Sequence, residues 1–141
     1  ERPSNVSQYE KVLGISLPNT VNLDFIKFIS TWVGTPYKYG GNTTEGTDCS
    51  GFVNATYKSV FNKTISRSSF QLYQEAKPIQ ERDLREGDLL FFEIQGPKVS
   101  HVGMHVTGNY FIHASTRKGV IISSTEEAYY KQHFKGFGRV G

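Results

Sequence analysis

A change of texture at Gly87 constrains this chain more than any other feature. Before it, apolar residues recur at helical spacing; after it, they come in short runs rich in Val, Ile and Phe. Leu23, Ile26, Ile29 and Val33 mark one face of an amphipathic helix that begins near Asn22 and is stopped by Gly34 and Pro36. A second helix is predicted from Cys49 through Phe52, Val53, Thr56 and Val60, with Thr47 and Asp48 before it as potential caps. A short third helix is predicted over residues 69–75, ahead of Pro78. Residues 88–94, 101–106, 110–115 and 119–124 then read as strands bounded by Gly, Pro or Asn. Residues 126–134 read as one more helical stretch and 137–140 as a closing strand. Helices first and antiparallel strands after them predict an α+β domain.

The chain has 141 residues, a natural length for one domain. Residues 1–20 carry two prolines and little periodicity and read as an N-terminal arm or a short helix, so the domain proper is expected over 21–141. Residues 34–48 read as a polar, Gly-rich loop. No apolar run approaches the roughly 20 residues that a membrane span needs. The net charge of +3 is spread along the chain, which fits a solvated surface and favours an anionic polymer, a cell wall or nucleic acid, only weakly; no nucleic-acid partner is expected. The chain starts at Glu1 without Met or a signal-like apolar stretch, so a targeting segment was either removed or never present.

A single cysteine forbids an internal disulfide and leaves one thiol to explain. Cys49 stands where loop gives way to helix, and amides at a helix N-terminus favour a thiolate, lowering a thiol pKa from its free value of about 8.5. A buried structural cysteine would have apolar flanks. This one has Gly46, Thr47, Asp48, Ser50 and Gly51, small enough to admit a substrate carbonyl.

A reactive thiol needs a base, and four histidines are available: His101, His105, His113 and His133. In strand 101–106, Val102, Met104 and Val106 alternate with His101, Gly103 and His105. In the next strand Tyr110, Ile112 and Ala114 alternate with Phe111, His113 and Ser115. A two-residue loop at Gly108-Asn109 would set the apolar residues on opposite faces. A three-residue loop, Thr107-Gly108-Asn109, brings them onto one face, so that Gly103 opposes His113 and His101 opposes Ser115. His101 and His113 then share a face, with Gly103 leaving room for a ring. Three same-face imidazoles would also suit zinc, but no acidic residue other than Glu93 lies near these strands, and no metal is expected.

Five segments carry a family resemblance: residues 35–41 (TPYKYGG), 48–52 (DCSGF), 85–92 (REGDLLFF), 100–103 (SHVG) and 111–115 (FIHAS). In sequence and order they resemble the NlpC/P60 family, papain-like cysteine peptidases that act on bacterial cell-wall peptides. Residues 113–124 are most similar to the spr-type murein endopeptidases, a group of lipoproteins. The resemblance spans roughly residues 22–140. It implies a papain-like fold, with N-terminal helices packed on a central antiparallel sheet. It also implies Cys49 as nucleophile, His101 as general base and His113 as the polar residue that orients the base. Tyr37, Asp48 and Ser50 are the implied oxyanion and substrate-binding set. His105 departs from the family, standing where an aromatic or aliphatic residue is usual.

The activity implied by the resemblance is that of a peptidoglycan endopeptidase, hydrolysing amide bonds in murein stem peptides or crosslinks. Such an enzyme would need no cofactor and act as a monomer. Its address would be periplasmic or extracellular, with attachment to the outer membrane through a lipid anchor on a removed N-terminal segment as a further implication. Two other readings stay open: an amidase or acyltransferase of the same scaffold acting on a non-murein amide or ester, and a non-catalytic wall-binding module.

Overall fold

The computed structural model describes residues 6–141. Helix α1 (Val6–Leu13) opens it and buries Val6 and Leu13 in the main core together with Leu17. The stretch read as an arm or short helix therefore contains a packed helix; its first five residues lie outside the described part. Helix α2 (Leu23–Trp32) follows the predicted stripe, turning Phe25, Ile26, Ile29 and Trp32 inward, and the Asn22 side chain accepts from the Phe25 N–H at its start. Helix α3 (Cys49–Val60) and helix α4 (Ser69–Glu75) also form where periodicity placed them.

The strands make the α+β architecture complete. A short hairpin pairs β1 (Asn42–Thr43) with β2 (Gly46–Thr47) inside the segment read as loop. Strands this short have no room for an alternating pattern, and only their hydrogen bonds reveal them. The main sheet takes β3 (Lys77–Ile79), β4 (Leu89–Phe92), β5 (His101–Thr107), β6 (Tyr110–Ser115), β7 (Gly119–Ser124) and β8 (Phe134–Arg139). Its order is β3-β8-β4-β5-β6-β7, antiparallel throughout. Strand β3 escaped the sequence reading because Pro78 argues against a strand; it is tolerated here on an edge, where one side of the ladder is unused. Helix α5 (Ala128–His133) is shorter than expected, and β8 begins three residues before the predicted 137.

The β5–β6 hairpin corrects the predicted loop. Thr107 pairs with Tyr110 across a two-residue turn, with Gly108 at φ 55°. A bulge between His105 and Thr107 then shifts the ladder by one, so that His105 pairs with Phe111 and Met104 with Ile112. The bulge does the work assigned to a third loop residue, and beyond it the register is the predicted one.

One face of the sheet joins α1, α2 and α3 around Phe25, Ile29, Phe52, Val102, Met104 and Ile112. The opposite face is not simply polar. Leu90, Phe92 and Phe111 form a second apolar cluster, covered by Tyr130 of α5 and by Phe134 and Phe137 of β8. His113 sits at its margin, its ring 4.8 Å from that of Phe111.

Candidate active site

Asp48 starts the site by capping α3. One carboxylate oxygen accepts the Gly51 N–H at 2.7 Å, and the other accepts the Gly40 N–H at 2.9 Å. This fixes the Gly40-Gly41 turn against the helix start. A side chain at Gly51 would collide with the Gly41 carbonyl, so the approach needs glycine there. The preceding Thr47 is tied to the Tyr37 segment by Thr47 N–H to Pro36 O and Lys38 N–H to Thr47 O, at 3.0 and 2.9 Å. Tyr37, Asp48 and Cys49 are thus locked together before any sheet residue is involved.

Cys49 is the first residue of α3, and its thiol donates to the Ser100 carbonyl at 3.9 Å. The Val102 backbone N–H favours its thiolate form. Backbone groups on both sides of His101 thus act on the thiol. His101, in β5, is 8% exposed. Its Nε2 lies 2.7 Å from His113 Nδ1, and the other nitrogen of His113, Nε2, lies 2.8 Å from Ser123 Oγ in β7. Gly103 allows this pairing as expected, since a Cβ there would stand 3.2 Å from His113 Cβ and 2.8 Å from the Phe111 ring. All six residues singled out from the sequence (Tyr37, Asp48, Cys49, Ser50, His101 and His113) line one cleft of about 1280 Å³. His105 is elsewhere, within the fields of Asp88 and Glu81.

Burial decides the resting charges. It pushes the Cys49 thiol up, and Asp48 adds to that, against the pull of backbone N–H groups. The helix N-terminus assists the thiolate, as the sequence suggested, but desolvation wins and the direction is the reverse of the one expected. Burial likewise lowers His101 to about 4 and takes His113 well below the usual histidine value. Neutral thiol and neutral imidazoles are the resting state these shifts describe. Tyr37 is raised by burial and by its charged-state neighbours Cys49 and Asp48.

Sequence reasoning missed three contributors. Arg67 donates to Ser50 Oγ at 2.7 Å and pairs with the Asp48 carboxylate at 3.1 Å. Its only signal was a lone cation within Ser66-Arg67-Ser68-Ser69, next to the Ser68 cap of α4. Ser123 and Tyr130 gave none, because a serine near the end of a strand and a tyrosine on a short helix are ordinary.

A thiol at a helix N-terminus, bracketed by the backbone of a strand that presents a paired imidazole, on helices packed against an antiparallel sheet, defines a papain-like thiol site. The NlpC/P60 family model matches residues 34–139, and the chain belongs to that family. It is 41% identical over 109 residues to Murein DD-endopeptidase MepS/Murein LD-carboxypeptidase of Escherichia coli K12, covering 77% of this chain and 57% of that protein. It is 43% identical over 107 residues to Probable endopeptidase NlpC of the same organism, covering 75% of this chain and 70% of the relative. The crystal structure of an NlpC/P60 family protein from Bacillus cereus superposes with a TM-score of 0.76 at 29% identity, over 88% of this chain and 41% of the other. The chain thus spans a little over half the length of the MepS relative.

Proposed function

We propose that this chain is a peptidoglycan endopeptidase that hydrolyses amide bonds of murein stem peptides or crosslinks. The observation that carries the reading is the 2.7 Å His101–His113 pair in the same cleft as the only thiol of the chain. Relatives named as murein endopeptidases support the substrate class.

The chemistry starts from the neutral resting pair. As substrate binds, His101 takes the Cys49 proton through its unpaired ring nitrogen, and the thiolate attacks the amide carbonyl carbon. Backbone amides at the start of α3 and the Tyr37 hydroxyl stabilise the oxyanion. The imidazolium of His101 then protonates the leaving amine. Water, deprotonated by His101, hydrolyses the thioester and restores the thiol. A low His101 pKa makes the imidazolium a strong acid toward that amine.

By resemblance Asp48 would bind substrate polar groups directly. Its oxygens are instead taken by Gly51, Gly40 and Arg67, so the role we assign it is to build the site. With peptidoglycan as its substrate, the protein is assigned in this proposal to the cell envelope, on the periplasmic or extracellular side. Among the described residues no helix is long and apolar enough to cross a membrane.

Incubation with purified muropeptides, read by mass spectrometry, tests the reading and names the bond. Cleavage by the wild type and its loss, by more than about a thousandfold, in Cys49→Ala is the expected result. Binding without cleavage by the wild type would turn the assignment to a wall-binding module.

A further inference from the structure

We propose that the β6–β7 turn, through Arg117 and Lys118, binds a free carboxylate of the substrate peptide. The proposal rests on the reading of a murein stem peptide as the substrate. Five charged side chains line the cleft that holds Cys49: Asp48, Arg67, Arg117, Lys118 and Glu127. Arg67 and Asp48 are committed to each other at 3.1 Å. Glu127 follows the far end of β7, where one of its oxygens accepts the Ser124 N–H at 2.7 Å. Arg117 and Lys118 are exposed, adjacent and, among the described residues, in no ion pair. The turn end of the cleft therefore carries two cations without an anion.

The turn is held in place by bonds on both sides. Ser115 pairs with Gly119 across it, and Ser115 Oγ accepts the Arg117 and Lys118 N–H groups at 3.3 and 3.2 Å. Gly119 takes φ 76°, and a Cβ there would collide with the Thr35 carbonyl. Val120 donates to that same carbonyl at 2.9 Å and accepts the Gly34 N–H at 2.9 Å. The segment that receives the turn runs on through Pro36 to Tyr37. The backbone carrying both cations is thus fixed to the cleft wall before substrate arrives, which removes part of the ordering cost of binding. A strand rises about 3.4 Å per residue, so the turn begins roughly 7 Å from His113, the span of about two extended peptide residues. The cations meet a group near the reacting bond and not the reacting carbonyl itself. Stem peptides offer carboxylates there, at internal acidic residues and at the C-terminus, and a guanidinium fork beside an ammonium suits one.

Calorimetric titration into Cys49→Ala, which holds substrate without turning it over, reads the contact; kinetics with Cys49 in place reads its consequence. Muropeptides are supplied with all carboxylates free, with the C-terminal one amidated, or with the internal ones amidated. One amidated form should bind Cys49→Ala about tenfold more weakly than the free form, and that form names the carboxylate. Adding Arg117→Gln and Lys118→Gln should weaken the free form about tenfold and leave the discriminating amidated form unchanged. In the enzyme with Cys49, the same two substitutions should raise KM about tenfold with kcat within about twofold. Equal affinity for all three forms would overturn the proposal. So would a double substitution that weakens every form alike, or a loss in kcat at unchanged KM. Carboxylate-dependent binding in a protein that cleaves no muropeptide would uphold this inference and remove the hydrolase reading. Cleavage without any dependence on a carboxylate would do the reverse, and the absence of both binding and cleavage would remove both.

Discussion

His101 Nε2 and His113 Nδ1 share one proton across 2.7 Å, with both rings almost closed to solvent. Two imidazolium ions cannot stand at that distance, and even one is disfavoured by burial, which lowers both residues. The arrangement we read as supplying the thiol's base thus makes the fold sensitive to acid.

The sign of that sensitivity is set by linkage. His101 falls from its ordinary 6.5 to about 4 in the folded protein, so between these values the unfolded chain binds more protons. Stability is fully present above pH 6.5 and is lost as pH falls toward 4. The loss from His101 alone is about 2 kcal/mol by pH 5, and His113 acts in the same direction. Urea midpoints at pH 7.5 and pH 5 measure it. Equal midpoints would show that the imidazoles are hydrated in the native state.

The thiol shifts the other way, with a different readout. Cys49 is raised by burial, so alkylation by iodoacetamide should be slow at pH 7 and climb through an apparent midpoint above the free value of about 8.5. A midpoint well below that value would mean that the helix N-terminus and His101 outweigh desolvation and that the resting pair is ionic.

Much of this was legible in the sequence, for reasons that particular residues show. The α2 stripe and the Cys49–Val60 helix were readable because burial of one helix face leaves a period in the chain. His101 and His113 were brought onto one face by a requirement independent of function, the alignment of Met104 with Ile112 in the core. The bulge near Val106 was not legible, because a bulge and a longer loop satisfy the same alignment. Arg67 and Ser123 were not legible either. Their partners lie 17 and 10 residues away, and no period links a polar side chain to a site that tertiary folding assembles.

Arg67 offers a test of the rim. Its guanidinium holds Ser50 and Asp48 together although its side chain is 43% exposed, so it should matter more for activity than for stability. Arg67→Ala should lower kcat/KM by about tenfold while leaving thermal unfolding nearly unchanged. Arg67→Lys should rescue little, because an ammonium cannot reproduce the fork that spans both partners. Full activity in Arg67→Lys would reduce the contact to simple charge pairing.

The histidine series tests the pair itself. In His113→Asn the amide oxygen can take the place of Nδ1 and accept from His101 Nε2–H, while the bond to Ser123, made from the far nitrogen of the ring, is out of its reach. In His113→Ala neither bond survives, and His101 keeps a buried donor without a partner. Loss of His101 removes the base altogether. Muropeptide cleavage should therefore fall in the order wild type, His113→Asn, His113→Ala, with His101→Ala lowest. His105→Phe should stay within a few-fold of wild type. His105 holds its place in the sheet through its backbone, the N–H to Asp88 O at 2.7 Å and the carbonyl from Gly87 N–H at 2.9 Å, and these bonds survive the substitution. Equal losses in the Asn and Ala variants would show that His113 does not act by orienting His101. A loss in His105→Phe as deep as that in His113→Ala would tie the β5 histidines to a common ligand, and metal analysis of the purified protein would identify it.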